Sequence, residues 1–466
     1  MPIVSVNPAT GEELARFQEH TWEEVDVALQ NAWDARAPWR DAGFGARAAR
    51  FTDLAAYLRQ EKPRLAAMMT AEMGKPIVEA EAEVEKCAWA ADWYAENTEQ
   101  LLAERKVPST GRESYVRFHP LGVILAVMPW NFPLWQVFRA AVPALMGGNV
   151  MVLKHSSNVP QTALEAEKAC QAAGFGDGVF KTLLIGSGAV ERVIRDPRLR
   201  AVTLTGSDLA GARVAEVAGA EIKKTVLELG GSDPFIVLED ADLEAAARVA
   251  CRARNQNNGQ SCISAKRFIV VEPVAEEFER LFSQAVAALK VGDPEQRDTN
   301  IGPLARADLV DDLERQVRKS LQMGARATVG GGRGPGPGFY FNPTVLTDVS
   351  TDMPVFREET FGPVAAVIRA RDEEEALALA NDTVYGLGSN VWTKDVERGK
   401  RMADRLEAGM VYVNGMVASE PALPFGGVKR SGYGRELSEY GLMEFQNVQT
   451  LWIGPAGSAS RSPSAD

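Results

Sequence analysis

Residues 121–154 read LGVILAVMPWNFPLWQVFRAAVPALMGGNVMVLK, and their pattern decides the fold. A run typical of a buried strand covers 123–127, an apolar run with helical spacing covers 134–145, and a second strand-like run covers 150–153. Strand–helix alternation of this kind predicts a mostly parallel, doubly wound sheet with helices on both faces.

The alternation extends outward into two successive units. In the first unit we expect strands at 123–127, 150–153, 183–185, 202–204 and 226–229, with helices at 134–145, 161–173, 190–194 and 210–218. After Gly230-Gly231 we expect strands at 235–237, 268–271, 364–368, 389–391 and 411–413, with helices at 243–255, 275–289, 304–323 and 373–380. Before the first unit we expect helices without intervening strands, at 22–37, 46–59 and 75–102. The fold class is therefore α/β, with two doubly wound domains and a cleft between them.

Composition narrows the classes of function. The chain has 466 residues, of which 45% are apolar and 24% charged, which is ordinary for a globular protein of more than one domain. Its net charge of −12 disfavours nucleic acid and anionic membranes as partners. No run of about 18 apolar residues is present, so no transmembrane helix is expected. The four cysteines fit no zinc or CxxC pattern and no N-terminal signal is recognisable, so we expect no metal site and a cytoplasmic location.

Two short stretches hold the reactive side chains: TVLELGG at 225–231 and NNGQSC at 257–262. Glu228 lies in an apolar run, where burial raises a carboxyl pKa and suits it to act as a general base, although a paired structural carboxylate is the alternative. Cys262 follows small polar residues that are poor core formers, so we interpret it as a nucleophile facing a cleft rather than a buried structural cysteine. A thiol and a base are the parts needed for acyl chemistry through a thioester.

Further candidates lie where predicted strands end. Asn131 is either a turn residue or a side-chain donor to an oxyanion, with the backbone N–H of Cys262 as the second donor. Gly206 and Ser207 open a helix after the strand at 202–204, where a phosphate can approach the helix N-terminus. Lys154 ends the strand at 150–153 and is either a solvated lysine or a contact to a ribose or phosphate.

These motifs, in this order, resemble the NAD(P)-dependent aldehyde dehydrogenase superfamily over nearly the whole chain. The stretches that carry the resemblance are NPATG at 7–11, LELGG at 227–231, EETFGP at 358–363 and FGGVKRSG at 425–432. The resemblance implies that Cys262 attacks an aldehyde to give a hemithioacetal, while Asn131 and the Cys262 amide hold the oxyanion. It also implies that Glu228 activates the water that hydrolyses the thioester left after hydride transfer.

The resemblance assigns a cofactor site as well. The positions it implies for the cofactor are Trp130, Lys154, Ser157, Gly206, Ser207, Gly211, Leu229, Glu359 and Phe361. In the family, a glutamate three residues after the lysine grips the adenosine ribose and repels a 2′-phosphate. Here that position is Ser157, which is small and neutral, so we expect NADP to be preferred and NAD to be possible.

Within the superfamily the chain resembles the bacterial succinate-semialdehyde dehydrogenase branch. Arg139 lies eight residues past Asn131, where that branch uses an arginine for the distal carboxylate, and a structural salt bridge is the alternative. The substrate-tunnel positions implied in addition are Trp135, Ser261 and Ser419. Some members carry a second arginine six residues before the cysteine, where this chain has Gln256. The expected substrate is succinate semialdehyde or a similar short carboxylated aldehyde.

Other functions compete with this interpretation. A broad-specificity aldehyde dehydrogenase would act on aliphatic aldehydes or glutarate semialdehyde. A CoA-acylating aldehyde dehydrogenase would not need Glu228. A non-catalytic relative would not need the combination of Cys262, Glu228, Asn131 and Lys154.

The resemblance also divides the chain into domains. We expect a cofactor-binding domain at 1–105 and 121–230, a catalytic domain at 231–430, and a β-flap for oligomerisation at 106–120 and 431–453. Residues 454–466 are rich in Ser, Ala, Pro and Gly and are expected to be a disordered tail. Residues 446–453 alternate as an edge strand does, so we expect a homodimer or homotetramer that acts on a small-molecule aldehyde.

Overall fold

A computed structural model describes residues 2–454, so the expected tail lies outside the described residues apart from Gly454. Its α-helices are α1 (Trp22–Asp41), α2 (Gly43–Gln60), α3 (Lys62–Met73), α4 (Ile77–Leu101), α5 (Trp135–Met146), α6 (Pro160–Ala172), α7 (Val190–Arg195), α8 (Asp208–Ala220), α9 (Leu243–Asn255), α10 (Glu272–Ala287), α11 (Ala307–Gln322), α12 (Pro354–Arg357), α13 (Glu373–Asn381), α14 (Val396–Ala403) and α15 (Ser438–Met443). Its strands are β1 (Ile3–Val6), β2 (Glu13–Phe17), β3 (Arg105–Lys106), β4 (Glu113–Pro120), β5 (Val123–Met128), β6 (Val150–His155), β7 (Phe180–Thr182), β8 (Leu199–Thr205), β9 (Lys224–Glu228), β10 (Asp233–Val237), β11 (Ala265–Val271), β12 (Arg326–Val329), β13 (Thr344–Thr347), β14 (Val364–Ala370), β15 (Gly388–Trp392), β16 (Met410–Val413), β17 (Gly432–Tyr433) and β18 (Gln446–Ile453).

The first unit forms a sheet whose order, in the described chain, is β17-β9-β8-β5-β6-β7. Every neighbouring pair is parallel except β17 with β9. Because the strands from β5 to β9 are parallel, their carboxyl ends share one edge of the sheet. Met128, His155, Thr205 and Glu228 are the last residues of four of these strands and therefore lie along that edge.

The second unit forms a sheet with the order β12-β13-β14-β11-β10-β15-β16 in the described residues. Its pairs are parallel except for β12 with β13. One buried cluster packs α9 and α10 on one face, and another packs α11, α12 and α13 on the other. Helices thus cover both faces, and the expected α/β fold with parallel sheets is confirmed.

Two smaller sheets are separate from these: β1 pairs antiparallel with β2, and a three-stranded sheet has the order β18-β4-β3. β18 pairs with β4 along its full length, from Gln446 opposite Pro120 to Ile453 opposite Glu113. Residues 432 and 433, which the sequence groups with this flap, pair instead with β9 in the first sheet. No helix within residues 2–454 is both long enough and apolar enough to span a membrane.

Some elements differ from the sequence predictions for identifiable reasons. The helix α3 is unpredicted because Pro63 reads as a break, yet proline is well tolerated in the first turn of a helix, where it stands here. The strand expected at 183–185 lies at Phe180–Thr182 instead, on the edge of the sheet. Residues 183–185 form a buried apolar run just after the strand, and an apolar run of this kind reads as a strand in the sequence.

Candidate active site

The loop between α9 and β11 carries Cys262 and has an unusual backbone. Asn257, Asn258 and Gly259 follow one another with φ values of 58°, 57° and 72°, all in the left-handed region. Asparagine and glycine are the residues that tolerate this region best, which explains their occurrence here. The side chain of Asn258 donates to the carbonyls of Gly74 and Pro303 at 2.8 and 2.9 Å, fixing the loop to two neighbouring segments.

Two fully buried cations, Lys266 and Arg254, also hold this loop in place. The Lys266 ammonium donates to the carbonyls of Ser261 and Cys262 at 3.1 and 2.8 Å and to Glu359 Oε1 at 3.1 Å. Arg254 donates to the carbonyls of Gly259 and, at 3.2 Å, Ala265. Their charges are thus used to fix backbone carbonyls around the cysteine, a structural role that the sequence did not reveal.

Cys262 lies in the wall between two cavities. The larger cavity, of about 540 Å³, is called here the substrate-side cavity. Its lining includes Glu79, Glu83, Lys86, Trp135, Gln136, Arg139, Arg252, Gln256, Ser261, Cys262, Ser419 and Phe425. The smaller cavity, of about 170 Å³, is called the cofactor-side cavity. It is lined by Pro129, Trp130, Asn131, Gln136, Thr205, Gly206, Ser207, Leu229, Gly230, Cys262, Glu359 and Phe361.

The environment of Cys262 keeps its thiol protonated in the resting protein. Burial raises the pKa of Cys262 to about 12, although the positive charges of Arg139 and Lys266 oppose that rise. Since the thiolate is the nucleophilic form, attack by Cys262 requires a group that takes the thiol proton. The other cysteines, Cys87, Cys170 and Cys251, are buried and line neither of the two cavities.

Asn131 and Cys262 both line the cofactor-side cavity. The Asn131 side-chain amide donates to the carbonyl of Gln260 at 3.1 Å. The Asn257 side chain donates to the Asn131 carbonyl at 2.7 Å and so ties the two loops together. His155, buried at the end of β6, contacts the Pro133 carbonyl through Nε2 at 2.8 Å and helps fix the turn after β5.

Glu228 ends β9 and is buried, but its side chain lines neither cavity. Neither carboxyl oxygen has a hydrogen-bond partner among the described residues. Burial raises the pKa of Glu228 well above its usual range, and the nearby Glu436 adds to this while Arg139 opposes it. A buried carboxyl without partners is costly to ionise, so this position favours the protonated form of Glu228.

Several of the cofactor positions implied by the sequence come together. Trp130 and Phe361 both line the cofactor-side cavity and meet edge to face with ring centres 5.7 Å apart. Glu359 accepts from the Gly231 amide at 3.1 Å and from Lys266, which fixes its carboxylate at the cavity wall. Ser207 caps α8 by accepting from the Ala210 amide at 3.3 Å.

Other implied cofactor positions lie outside this cavity. Lys154 is buried at the end of β6, where burial lowers its pKa, and Ser157 follows it as an exposed residue. Gly211 lies inside α8, where a Cβ would stand 2.5 Å from the Leu229 side chain. Its observed role is to let α8 pack closely against the end of β9.

All four implied substrate positions, Trp135, Arg139, Ser261 and Ser419, line the substrate-side cavity. Arg139 is buried and forms an ion pair with Glu436, and its Nη2 donates to Thr205 Oγ1 at 3.3 Å. Its guanidinium also lies over the Phe425 ring, 4.3 Å from the centre. The guanidinium is therefore already engaged by protein groups.

Sequence reasoning missed Lys86 and Gln136, which also line the site. Lys86 lies on α4, far from Cys262 in the chain, with nothing in its local sequence to mark it. Gln136 lies between Trp135 and Arg139 on α5 and borders both cavities, so its position next to two candidates was the available signal. Among the described residues no cluster of His, Cys, Asp and Glu could hold a metal ion.

The known proteins that this chain resembles are aldehyde dehydrogenases. The sequence profile of the aldehyde dehydrogenase family matches residues 1–451. The chain is 52% identical over 456 residues to the succinate-semialdehyde dehydrogenase (NADP+) 1 of Mycobacterium tuberculosis, covering 97% of this chain and 100% of that protein. It is 51% identical over 453 residues to a probable succinate-semialdehyde dehydrogenase (NADP+) of Synechocystis, with 97% and 100% covered. The solved succinic semialdehyde dehydrogenase of Streptococcus pyogenes in complex with NADP+ is 38% identical and superposes with a TM-score of 0.95, covering 97% of this chain and 100% of that one.

Proposed function

The chain belongs to the aldehyde dehydrogenase family, and on that premise we propose that it oxidises succinate semialdehyde, or a similar short carboxylated aldehyde, to the acid with NADP. The observation that carries the proposal is the position of Cys262, which borders a cavity on each side. A nucleophile in this position can hold an aldehyde from one side while a hydride acceptor approaches from the other.

The cofactor-side cavity has the chemistry needed for a dinucleotide. Two aromatic rings, the capped start of α8 and the fixed carboxylate of Glu359 give it stacking surface, backbone donors and a ribose acceptor. Trp130, Ser207, Glu359 and Phe361 would hold the cofactor, with Lys154 and Ser157 at its adenosine end. When bound, the nicotinamide supplies the hydride acceptor for the oxidation.

The protein groups perform the covalent steps. Burial keeps the resting thiol of Cys262 protonated, so its proton first passes to solvent water, and the resulting thiolate sulfur then forms a bond to the aldehyde carbon. Asn131 exchanges its contact with the Gln260 carbonyl for the developing oxyanion, which the Cys262 amide also stabilises. A donor of this kind is worth about 3 kcal/mol in the transition state.

Glu228 performs the hydrolytic half of the reaction. In the buried position it occupies here its pKa is raised, so Glu228 must first release its proton to solvent, and its oxygens have no hydrogen bond to break as it moves. To reach water beside the thioester, the Glu228 side chain must rotate toward Cys262 from the position it occupies here. The rival CoA-acylating reaction has no use for this group.

NADP preference follows from Ser157. An exposed serine at this position leaves room for a 2′-phosphate and supplies a hydroxyl donor, whereas a carboxylate would repel the phosphate. We expect kcat/KM for NADP to exceed that for NAD, and Ser157→Glu to reverse the order. The proposal on the cofactor would be wrong if the unmodified enzyme used NAD more efficiently.

The substrate proposal is tested by side-by-side kinetics. Steady-state kcat/KM is measured with succinate semialdehyde, glutarate semialdehyde and butanal, with and without CoA. We expect succinate semialdehyde to be the best substrate and CoA to have no effect. Equal values for butanal would favour the broad-specificity alternative, and a CoA requirement would favour the acylating one.

The remaining proposals concern the whole protein. We propose that the chain forms a homodimer or homotetramer through its β-flap, since β18 lies on the edge of its sheet with exposed apolar side chains. We also propose the domain boundaries given by the sequence and a cytoplasmic location.

A further inference from the structure

The substrate-side cavity contains more cations than the assigned arginine, and their partners differ. Arg139 is paired with Glu436. Arg252 is exposed at the cavity and is screened by solvent there. Lys86 is half-buried, and no carboxylate within residues 2–454 forms an ion pair with it.

The two acids of the cavity do not neutralise Lys86, because each is engaged elsewhere. Glu83 forms an ion pair with Lys75 and accepts from the amides of Leu134 and Trp135, each at 2.9 Å. Glu79 accepts from the Asn257 amide at 2.7 Å, and burial raises its pKa to about 6. The charge of Lys86 is therefore left without an acidic partner in the cavity.

The Lys86 ammonium is nevertheless held in a defined place. It donates to the Ser419 hydroxyl at 2.7 Å and lies 4.7 Å from the centre of the Trp135 ring. A serine hydroxyl that accepts from an ammonium still has its own proton to donate to an anionic group. Lys86 and Ser419 thus offer two donors on one side of the cavity, with an aromatic wall beside them.

We propose that Lys86 is the specificity-determining cation of the cavity, and that its ammonium and the Ser419 hydroxyl bind the carboxylate of the aldehyde substrate. A half-buried charge without an acidic partner is costly, and a bound carboxylate supplies that partner. Arg139, which also lines the cavity, is paired with Glu436 in this structure, so Lys86 is proposed as a further cation for the same carboxylate. This inference rests on the proposed function and identifies the residue that selects the substrate.

The test compares succinate semialdehyde with butanal, in which a methyl group replaces the carboxylate. The quantity measured is the ratio of the two kcat/KM values for the wild type, Lys86→Met, Lys86→Arg, Arg139→Met and Arg252→Met. In Lys86→Met we expect the ratio to fall more than about tenfold, mainly through KM for succinate semialdehyde, since truncating one partner of a charged pair strands the other. Lys86→Arg keeps the charge, so its ratio should stay within about threefold of wild type.

A pH series adds a measurement that a structural role would not affect. Burial lowers the pKa of Lys86 to about 8, with Arg139 acting in the same direction and Glu83, Glu420 and the Cys87 thiol opposing it. The wild-type ratio should therefore fall as pH rises above about 8, because the ammonium loses its proton, and stay level in Lys86→Arg. The titration of groups that act on both substrates, including Cys262 and Glu228, affects both kcat/KM values equally and therefore cancels in the ratio.

The outcomes separate the two proposals. If the wild type does not prefer succinate semialdehyde, the proposed function fails. If it does, but Lys86→Met keeps the ratio while Arg139→Met loses it, the inference about Lys86 is overturned and the function stands. An equal fall in Arg252→Met would also overturn it, since general positive potential would then explain the selection. Binding of NADP and the thermal midpoint of each variant establish that it is folded.

Discussion

At the scale of the residue, the protonated thiol of Cys262 has a direct chemical consequence. Burial raises the pKa of Cys262 to about 12, so the thiolate fraction below that pH grows with pH. We expect alkylation by iodoacetamide to accelerate about tenfold per pH unit between about pH 7 and pH 9, because only the thiolate reacts. Peptide mass spectrometry at timed intervals measures the rate at Cys262 alone.

The buried cysteines provide the internal control for this measurement. Cys87 and Cys170 are almost fully buried, and burial raises the pKa of both, so their labelling should lag far behind that of Cys262. A rate for Cys262 that levels off before about pH 8 would mean that the resting protein already stabilises the thiolate.

Glu228 can be separated from Cys262 by kinetics. Glutamine keeps the shape of the side chain but cannot take a proton, so Glu228→Gln should slow steady turnover by about a hundredfold or more. Formation of the thioester should persist as a burst of NADPH absorbance in the first turnover. Cys262→Ser serves as the control without a burst. Loss of the burst in Glu228→Gln would show that Glu228 is needed for acylation and not only for hydrolysis.

The side chains that we propose to act on carbon or on a proton were recognisable in the sequence, whereas those that hold them in place were not. Cys262, Glu228 and Asn131 stand out because each is out of place in its local pattern: a thiol among polar residues, a charge in a strand and an amide at a turn. Lys86 and Lys266 look like ordinary residues of a helix and a strand. Their roles arise from contacts with Ser419 and Glu359, which only the folded chain brings near.

At the scale of the element, the loop before Cys262 depends on its backbone. Gly259 has φ of 72°, and a Cβ there would stand 2.4 Å from the backbone of Gly362. Gly259→Ala should therefore lower the stability of the protein by about 2 kcal/mol or more and reduce kcat, because the loop must move. The thermal midpoint and kcat with succinate semialdehyde measure the two effects.

Gly219 gives the matched control for that substitution. It lies in α8, and a Cβ there meets nothing within 4 Å. Gly219→Ala should leave kcat unchanged and raise stability by up to about 1 kcal/mol, since alanine favours the helix. Equal thermal midpoints for the two variants would mean that the left-handed turn at Gly259 does not limit the fold.

The elements themselves were largely predictable because the strands of parallel sheets are continuous apolar runs and the helices between them are amphipathic. The helix α9 lies at the predicted residues, 243–255, since Asp242 caps its start and accepts from the Ala245 amide at 3.0 Å. The helix α3 and the edge strand β7 were not placed correctly. For α3, Pro63 was read as a helix break although it stands in the first turn, where proline is tolerated. For β7, the apolar run at 183–185 was read as the strand although it follows the strand.

At the scale of the whole molecule, the site depends on both α/β units. Asn131 and Glu228 come from the carboxyl edge of the first sheet, and Cys262 precedes a strand of the second. The Asn257 side chain joins the two by donating to Asn131. Both units therefore contribute residues to the site, and the sequence predicts a boundary between them near Gly230-Gly231.

The β-flap leads to a prediction about assembly. β18 is the edge strand of its sheet, and Val448 and Trp452 are 59% and 51% exposed on it. An exposed edge with large apolar side chains is a surface that a second copy of the chain can cover. We expect Val448→Lys combined with Trp452→Lys to give a smaller species than the wild type in light scattering after size exclusion, because two charges would be buried in the interface. Val27 on α1 is 58% exposed and provides the matched control, since Val27→Lys should leave the mass unchanged. If the double variant kept the wild-type mass while Val27→Lys reduced it, the interface would lie on α1 and not on the flap.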